Sequence, residues 1–253
     1  MTWVIGMAGH LSGGVLAADV RVSFPNGDEH DLIRKIHEVA PNVVVGFSGS
    51  VRIGFDMVDR LRSHANALSD AEHVLAGKFV FDSRGHARDV WRSASSDEQK
   101  LGCSLMVVGA QRPKGFVHRN VGFVLRSPDF NPVQFGRMPV AIGSGSGVAE
   151  YRELLQESTA SWIERFRRFN LTDAAPLEPF GSILGDTIDA NPRPGISPHL
   201  HLCQVRGGDI RWYTNNRVAE DGKTWTMPDV ADDYASYRQK CTASGVAVER
   251  AVA

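Results

Sequence analysis

Short apolar runs separated by turns fill the first 50 residues, and they restrict the fold more than any other feature of the chain. Residues 2–8 and 14–23 flank a turn at 11–14, which predicts a β-hairpin. Apolar and polar residues then alternate from Ile33 to Val39, and a Pro-Asn turn leads into a second strand from Val43 to Phe47. Short strands joined by hairpins favour antiparallel sheets.

The hydrophobic period becomes helical after Ser50 and returns to that of strands near residue 103. Helical spacing predicts helices at 51–68, 70–96 and 147–169, and residues 183–190 are predicted to end a further helix. Further strands are predicted at 103–109, 116–118, 122–125, 140–142, 199–205 and 209–213. The order is strands, two helices, strands, two helices, strands. It predicts an α+β protein in which helix pairs cover the outer faces of antiparallel sheets.

No repeat or linker divides the chain, so a single domain is predicted for residues 1–220. Residues 221–253 lack a clear period, and this C-terminal extension is predicted either to pack on a neighbour or to stay loose.

Composition narrows the function classes. The net charge is -1 with acidic and basic residues interspersed, which predicts neither a nucleic-acid nor a membrane partner. The cysteines are odd in number and far apart, which argues against a disulfide framework. No basic-then-apolar leader or membrane-length apolar run is present, so a cytoplasmic protein is expected.

Thr2 is the leading catalytic candidate, because removal of Met1 would make it the N-terminal residue. An N-terminal threonine carries its own nucleophile, the hydroxyl, and its own base, the α-amine. Asp19 ends a run of small and apolar residues, so its carboxylate is expected to have a partner nearby. Together with Lys35 and Gly49, these residues indicate a threonine-type hydrolase site. The competing interpretation is a chance Met-Thr start with two surface charges on strands.

Several motifs occur in a fixed order: Thr2, the run Val15 to Asp19, Lys35, the turn Gly46-Phe47-Ser48-Gly49, and Ile142 to Ser146. In this order and spacing, the chain resembles the proteasome β-subunit family, and more closely its bacterial relatives such as the HslV peptidase. Between Thr2 and Asp19 the chain is one residue longer than the family pattern. The last forty or so residues do not match it. The resemblance implies a four-layer αββα sandwich of the N-terminal-nucleophile hydrolase type, with peptide-bond hydrolysis as the activity.

The resemblance also implies individual roles. Lys35 would lie beside the Thr2 hydroxyl and lower its pKa, Asp19 would orient Lys35, and the Gly49 N–H would bind the oxyanion. Ser144 would hydrogen-bond near the Thr2 amine, and Asp189 would support that amine. The family has a serine soon after this aspartate, whereas the next serine here is Ser197, beyond two prolines. Asp186 is therefore kept as the alternative to Asp189.

The family's substrate pocket maps onto mainly apolar residues, which implies a preference for apolar side chains before the scissile bond. The six positions are Val22, Ile33, His37, Phe47, Val51 and Phe55. A plain hydrophobic core is the alternative interpretation of the same residues.

Other functions are less well supported by the motifs. Gly143-Ser144-Gly145 lacks the remaining glycine and the lysine of phosphate-binding loops. His199, His201 and Cys203 share a strand face, but a fourth metal ligand is not evident, so no metal or cofactor is expected. The resemblance implies a multi-subunit ring acting on unfolded polypeptide, with an ATPase unfoldase as a further partner. A small-amide hydrolase of the same fold and a non-catalytic ring subunit are the two rival functions.

Overall fold

The computed structural model describes residues 2–9, 13–67, 76–111, 119–153, 155–156, 177–206, 209–215, 217–218 and 224–246. These residues form a mixed α+β fold with antiparallel sheets. The strands are β1 Val4–Ala8, β2 Gly14–Asp19, β3 Arg21–Ser23, β4 Glu29–Asp31, β5 Ile36–Ala40, β6 Val43–Gly49, β7 Cys103–Gln111, β8 Arg119–Arg126, β9 Val133–Phe135, β10 Val140–Ile142, β11 Leu200–Arg206, β12 Asp209–Thr214, β13 Arg217–Val218 and β14 Thr224–Trp225. The helices are α1 Val51–Asn66, α2 Ala76–Ser93, α3 Ser96–Lys100, α4 at 149–153 and 155–156, α5 Leu177–Ala190 and α6 Tyr234–Ala243.

The first large sheet has the strand order β10-β1-β2-β11-β12. The hairpin of β1 and β2 lies at its centre, and Ala17 pairs with Ile5 on one side and with Leu202 on the other. This register places the chain before β1 beside the end of β2, because antiparallel neighbours start and finish at the same edge. Thr2 and Asp19 therefore meet at one edge of the sheet.

The second large sheet has the order β5-β6-β7-β8-β9. Its central strands are apolar on both faces, as the buried run Val43 to Phe47 shows. Such strands are typical of a sheet that is covered on both sides. Lys35 lies directly before β5, and Gly49 is the last residue of β6, so both lie near the same end of this sheet.

Three apolar clusters hold these elements together. One contains residues of both large sheets, including Leu16 of β2 and Met106 of β7. A second joins the second sheet to α1, α2 and α6, and the third joins the first sheet to α4 and α5. Close approach of the sheets depends on small residues, because a Cβ added at Gly6 would lie 2.3 Å from the Met106 sulfur.

Most predicted elements are confirmed, with shifted ends. The N-terminal hairpin is present, although residues 10–12 of its turn lie outside the described residues. The strand predicted from Ile33 begins only at Ile36, since Ile33 instead forms a parallel bridge with Ala231. The long helix predicted from 147 begins at 149 after a 3-10 turn, and most of it lies outside the described residues, as does the strand predicted at 116–118.

The C-terminal extension contains a helix that sequence patterning did not predict. Helix α6 begins with a capping box formed by Asp233 and Ser236, and it buries Tyr237 and Cys241 in the same cluster as α1. Ahead of it, the Ala231 N–H donates to Leu32 O at 2.7 Å, and Ala231 O accepts from the Arg34 N–H at 2.9 Å. The extension therefore packs on its own chain. None of the described helices is long and apolar enough to cross a membrane.

Candidate active site

Asp19 is the structural centre of the site. It is fully buried at the end of β2, where an unpaired carboxylate would be strongly unfavourable. Its Oδ1 accepts the Trp3 N–H at 2.8 Å, and its Oδ2 accepts the Arg21 N–H at 3.0 Å and the Ser197 N–H at 3.5 Å. The Lys35 ammonium donates to the same Oδ2 at 3.0 Å. The backbone donors fix the carboxylate, so it can in turn fix the lysine.

Lys35 connects Asp19 to Thr2. Its Nζ also donates to Thr2 Oγ1, at 3.2 Å, and its side chain is completely buried. Burial lowers the pKa of Lys35 below its ordinary value, and the adjacent Asp19 carboxylate partly opposes that shift. The backbone of Lys35 is held as well, because Lys35 O accepts the Phe47 N–H at 3.0 Å. The structure therefore brings Thr2, Asp19 and Lys35 together, as the sequence predicts.

A glycine-rich turn holds the backbone of Thr2. The Thr2 N–H donates to Ser144 Oγ at 2.9 Å, and Thr2 O accepts the Gly145 N–H at 3.0 Å. Gly143 has φ +85°, and a Cβ there would lie 2.4 Å from Thr2 O. Only glycine fits such a close backbone approach in that conformation. Thr2 is 1% exposed, whereas Ser144 is exposed, so the site approaches the surface on the Ser144 side.

Gly49 occupies the strand-to-helix junction as predicted. Its φ is +102°, and a Cβ would lie 2.2 Å from Gly102 O. Ser50, the next residue, donates its N–H to Gly102 O at 2.9 Å, while Phe47 donates on the opposite side, to Lys35 O. Because N–H groups alternate sides along an antiparallel strand, the Gly49 N–H points to the side where Lys35 lies. It also stands at the N-terminal, partially positive end of the sixteen-residue helix α1.

A second carboxylate network, which sequence reasoning missed, lies next to Asp19. Asp31 Oδ2 accepts from Ser197 Oγ at 2.7 Å and lies 2.8 Å from His199 Nδ1, and Asp31 Oδ1 accepts from Arg21 Nε at 2.8 Å. Burial raises the pKa of Asp31, but these hydrogen bonds outweigh it and leave the pKa well below its ordinary value. Ser197 thus joins both carboxylates, since its N–H points to Asp19 and its hydroxyl to Asp31.

Ser197, His199 and Asp31 do not form a catalytic triad. A triad places serine at one ring nitrogen and the carboxylate at the other. Here His199 Nδ1 lies near both partners, 3.2 Å from Ser197 Oγ, and the serine hydroxyl is already directed at the carboxylate. The network is a support for the Asp19 region. Part of this network follows from strand pairing, because Arg21 and Asp31 are opposite each other in the short β3-β4 ribbon.

Asp189 and its alternative, Asp186, both lie at exposed positions of α5. Exposure alone does not separate them from the Thr2 amine, because Ser144 is exposed as well and contacts the Thr2 nitrogen. The role of an aspartate from this segment therefore stays a prediction. Ser197, whose position departs from the family pattern, donates its N–H to Asp19.

The six predicted pocket residues form a closed core in this chain. Val22, Ile33, His37, Phe47, Val51 and Phe55 are each at most 2% exposed. His37 stacks on Phe47 with a centroid distance of 5.9 Å, and Phe55 meets both rings edge-on. The physical reason for the closure is the C-terminal extension, since Tyr234 packs against Phe55 at 6.5 Å and Ala231 bridges to Ile33. These six side chains are therefore better described as part of the hydrophobic core, the alternative interpretation, than as the lining of an open pocket.

The arrangement contains the kinds of group that acyl transfer requires. A hydroxyl lies beside a buried ammonium, a nitrogen of the same residue is oriented by a serine, and a backbone N–H at a helix start points toward that region. Within the described part of the chain, no group of three or more His, Cys, Asp or Glu side chains could hold a metal ion. The chain matches no protein-family model and no curated protein sequence.

Proposed function

We propose that the protein is a threonine-type peptidase whose nucleophile is Thr2. One observation supports this most strongly: Lys35 Nζ lies 3.0 Å from Asp19 and 3.2 Å from Thr2 Oγ1, with all three residues buried. An ammonium placed against a hydroxyl stabilises the alkoxide and so lowers the pKa of that hydroxyl. A buried lysine has no structural need to face a threonine, whereas a nucleophile needs such a neighbour.

The mechanism requires cleavage of the bond between Met1 and Thr2. The Thr2 nitrogen, which lies 2.9 Å from Ser144 Oγ, then becomes an α-amine with a reference pKa of about 7.7–8.0. The neutral amine takes the Oγ1 proton, and Oγ1 attacks the carbonyl carbon of the peptide bond. The Gly49 N–H stabilises the oxyanion, the protonated amine gives its proton to the leaving amine, and water then hydrolyses the ester.

The proposed architecture is the four-layer αββα sandwich of N-terminal-nucleophile hydrolases. The support is the distribution of the three apolar clusters: one between the two large sheets, one between the second sheet and α1 with α2, and one between the first sheet and α4 with α5. A layer of helices, two sheets and a second layer of helices that pack on one another in this order form four layers.

The proposed setting is a ring of identical subunits in the cytoplasm that degrades unfolded polypeptide, with an ATPase unfoldase as a further partner. This part is supported by the sequence resemblance alone. Light scattering on the processed protein checks it, since the proposal requires a particle of many copies of the 27.7 kDa chain. A fully active monomer that cleaves only small amides would instead favour the amidase alternative.

The test of the mechanism is the hydrolysis of a fluorogenic peptide with an apolar residue before the cut, by protein whose intact mass shows that Met1 has been removed. Thr2→Ala should abolish hydrolysis, and Thr2→Ser should retain part of it, because serine keeps the hydroxyl and the amine. Thr224→Ala, at an exposed position, is the matched control and should have wild-type activity. Wild-type rates in Thr2→Ala, or in protein that retains Met1, would exclude this mechanism.

A further inference from the structure

Asp19 and Asp31 share two partners, and each partner binds one carboxylate through its backbone and the other through its side chain. The Arg21 N–H donates to Asp19 Oδ2 at 3.0 Å, while Arg21 Nε donates to Asp31 Oδ1 at 2.8 Å. The Ser197 N–H donates to Asp19 Oδ2 at 3.5 Å, while the Ser197 hydroxyl donates to Asp31 Oδ2 at 2.7 Å. Asp31 therefore holds the side chains of two residues whose backbone N–H groups hold Asp19.

Asp31 is itself firmly placed. Strand pairing sets it opposite Arg21, its side chain is 15% exposed, and the ring nitrogen Nδ1 of His199 lies 2.8 Å from its Oδ2. Hydrogen bonds to an ionised carboxylate are shorter and stronger than those between neutral groups. Asp31 can therefore act as a fixed point for the Arg21 and Ser197 side chains that bind it.

The ion pair with Asp31 also decides where the charge of Arg21 lies. The guanidinium has a second, longer contact with Glu29, at 3.5 Å. Burial lowers the pKa of Lys35, Asp19 opposes that shift most and Asp31 opposes it as well, whereas the charge of Arg21 adds to the lowering. Asp31 thus engages a cation that disfavours the ammonium form of Lys35, and it leaves Asp19 to pair with the lysine.

We propose that Asp31 is a positioning residue of the site, which acts through its two shared partners to fix the Asp19 carboxylate that holds Lys35. Lys35 in turn lies against the Thr2 hydroxyl, at 3.2 Å. The effect of Asp31 on Lys35 does not depend on what Thr2 does, whereas its effect on turnover rests on the proposed peptidase function. The two effects are therefore measured separately.

The titration of Lys35 in Asp31→Asn tests the proposal without any substrate. The 13Cε resonances of labelled lysines are followed against pH, and Lys35 is identified as the resonance missing from Lys35→Met. Asparagine keeps the size of the side chain and removes its charge, so Lys35 should lose its proton at a lower pH than in wild type. Asp28→Asn removes an exposed carboxylate from the turn of the same ribbon and is the matched control, in which Lys35 should titrate as in wild type.

Ser197→Ala separates position from charge, because it removes the hydroxyl that binds Asp31 and leaves both carboxylates in place. Lys35 should again titrate at a lower pH than in wild type, but with a smaller change than in Asp31→Asn. This variant also decides the question if Asp31→Asn does not fold, since the change is confined to one hydroxyl.

Turnover of the fluorogenic peptide gives the second measurement. In Asp31→Asn, kcat should fall by about tenfold or more with KM near the wild-type value, because the change displaces the nucleophile's partners rather than the substrate. Adding Ser197→Ala should cause little further loss, since residues that act through one another are not additive. Asp28→Asn should keep the wild-type kcat.

Three results would overturn the proposal: an unchanged Lys35 titration in Asp31→Asn, an unchanged titration in Ser197→Ala, or fully additive losses of kcat in the double variant. If wild-type protein without Met1 hydrolyses no peptide, the proposed function fails. The two Lys35 titrations then decide the role of Asp31 by themselves.

Discussion

A fully buried lysine is the least expected single residue in this protein. Lys35 would lose much of its hydration on folding, and burial accordingly lowers its pKa. It stays in place because Asp19 faces it at 3.0 Å and because backbone N–H groups of Trp3 and Arg21 hold that carboxylate. A buried ion pair of this kind adds little net stability, but removing one partner is strongly destabilising. The pair therefore does more to fix the position of Lys35 than to add net stability.

Lys35→Met tests that interpretation, since methionine keeps the unbranched stem and removes the charge. The proposed peptidase activity should fall by about a hundredfold or more, the size associated with a positioned electrostatic group. The free energy of unfolding in urea should fall by about 3–5 kcal/mol, because Asp19 loses its cation in a buried site.

The control for charge removal is Lys100→Met, whose side chain is 74% exposed, and both quantities should stay near wild type. Adding Asp19→Asn to Lys35→Met should recover part of the stability without restoring activity, because it removes the uncompensated charge only. Recovery of activity in the double variant would show that the lysine acts only as a structural partner of Asp19.

Buried neutral histidines make stability depend on pH. Burial, with a contribution from the charge of Arg34, lowers the pKa of His201 to about 3, whereas the unfolded chain has the ordinary value near 6.5. Between these values the unfolded chain binds a proton that the native protein does not, so stability falls as the pH falls. His201 alone should reduce the free energy of unfolding by about 2 kcal/mol between pH 7 and pH 5.

Urea unfolding of wild type and His201→Leu at pH 7.5, 6 and 5 checks this contribution. The variant should lose less stability on acidification, by about 2 kcal/mol at pH 5. The remaining acid sensitivity includes that of His37, whose pKa is likewise lowered to about 3 by burial. Parallel pH curves for the two proteins would show that His201 takes up its proton in the native state as readily as in the unfolded chain.

Sequence motifs at residue scale predict which side chains lie close together. Thr2, Asp19, Lys35 and Ser144 belong to, or lie near, recognisable runs of small residues or glycine turns, and the structure brings them together. The role of Asp189 stays a prediction, because no pattern in α5 distinguishes an aspartate that faces the site from one that faces solvent. Ser197 of the same region contacts Asp19.

At the scale of elements, the turn at residues 143–146 does more to build the site than any helix. Ser144 accepts the Thr2 N–H, the Gly145 N–H donates to Thr2 O, and the positive φ of Gly143 lets the turn approach the Thr2 backbone closely. Gly143 has φ +85° and ψ 178°, a region that only glycine populates readily. A side chain there cannot be accommodated by a small shift, because its nearest neighbour is the backbone oxygen of Thr2.

Gly143→Ala should therefore lower both stability and activity. We expect a loss of about 1–3 kcal/mol in the free energy of unfolding from backbone strain. We also expect about a hundredfold loss of peptidase activity if Thr2 moves by about 1 Å. Gly85→Ala is the matched control, since Gly85 lies in the exposed part of α2 with no atom near its missing Cβ. That control should gain about 0.5–1 kcal/mol and keep full activity. An active, stable Gly143→Ala protein would mean that the turn does not position Thr2.

A helix that buries many residues could be predicted from the sequence, whereas a helix that buries few could not. Helix α1 buries eight residues, including Phe55, Val58 and Leu61, and its period is plain in the sequence. Helix α6 buries only Tyr237 and Cys241, so its apolar positions recur too rarely to show a period. Its N-terminal signal is also atypical, because the capping box uses Ser236 where glutamate or glutamine is usual.

At the scale of the whole molecule, the C-terminal extension belongs to the main body of the fold. The backbone of Ala231 is hydrogen-bonded to both Leu32 and Arg34, which lie in the segment that leads into Lys35. Helix α6 then adds Tyr237 to the apolar cluster that contains α1 and the second large sheet. The extension thus supports the segment that delivers Lys35 to the site, and it covers the aromatic group formed by His37, Phe47 and Phe55.

Tyr237→Ala measures how much the molecule depends on this docking. Tyr237 is fully buried, and truncating a large aromatic side chain in a core costs about 3–5 kcal/mol, so urea unfolding at a fixed protomer concentration should show a loss of that size. Gln239→Ala, an exposed change on the same helix, should stay within about 0.5 kcal/mol of wild type. Peptidase activity should fall in Tyr237→Ala as well, because a loosened α6 frees Ala231 and with it the segment that places Lys35. If Tyr237→Ala unfolds like wild type and keeps its activity, the extension is not part of the folded unit, and Lys35 must be positioned by the two large sheets alone.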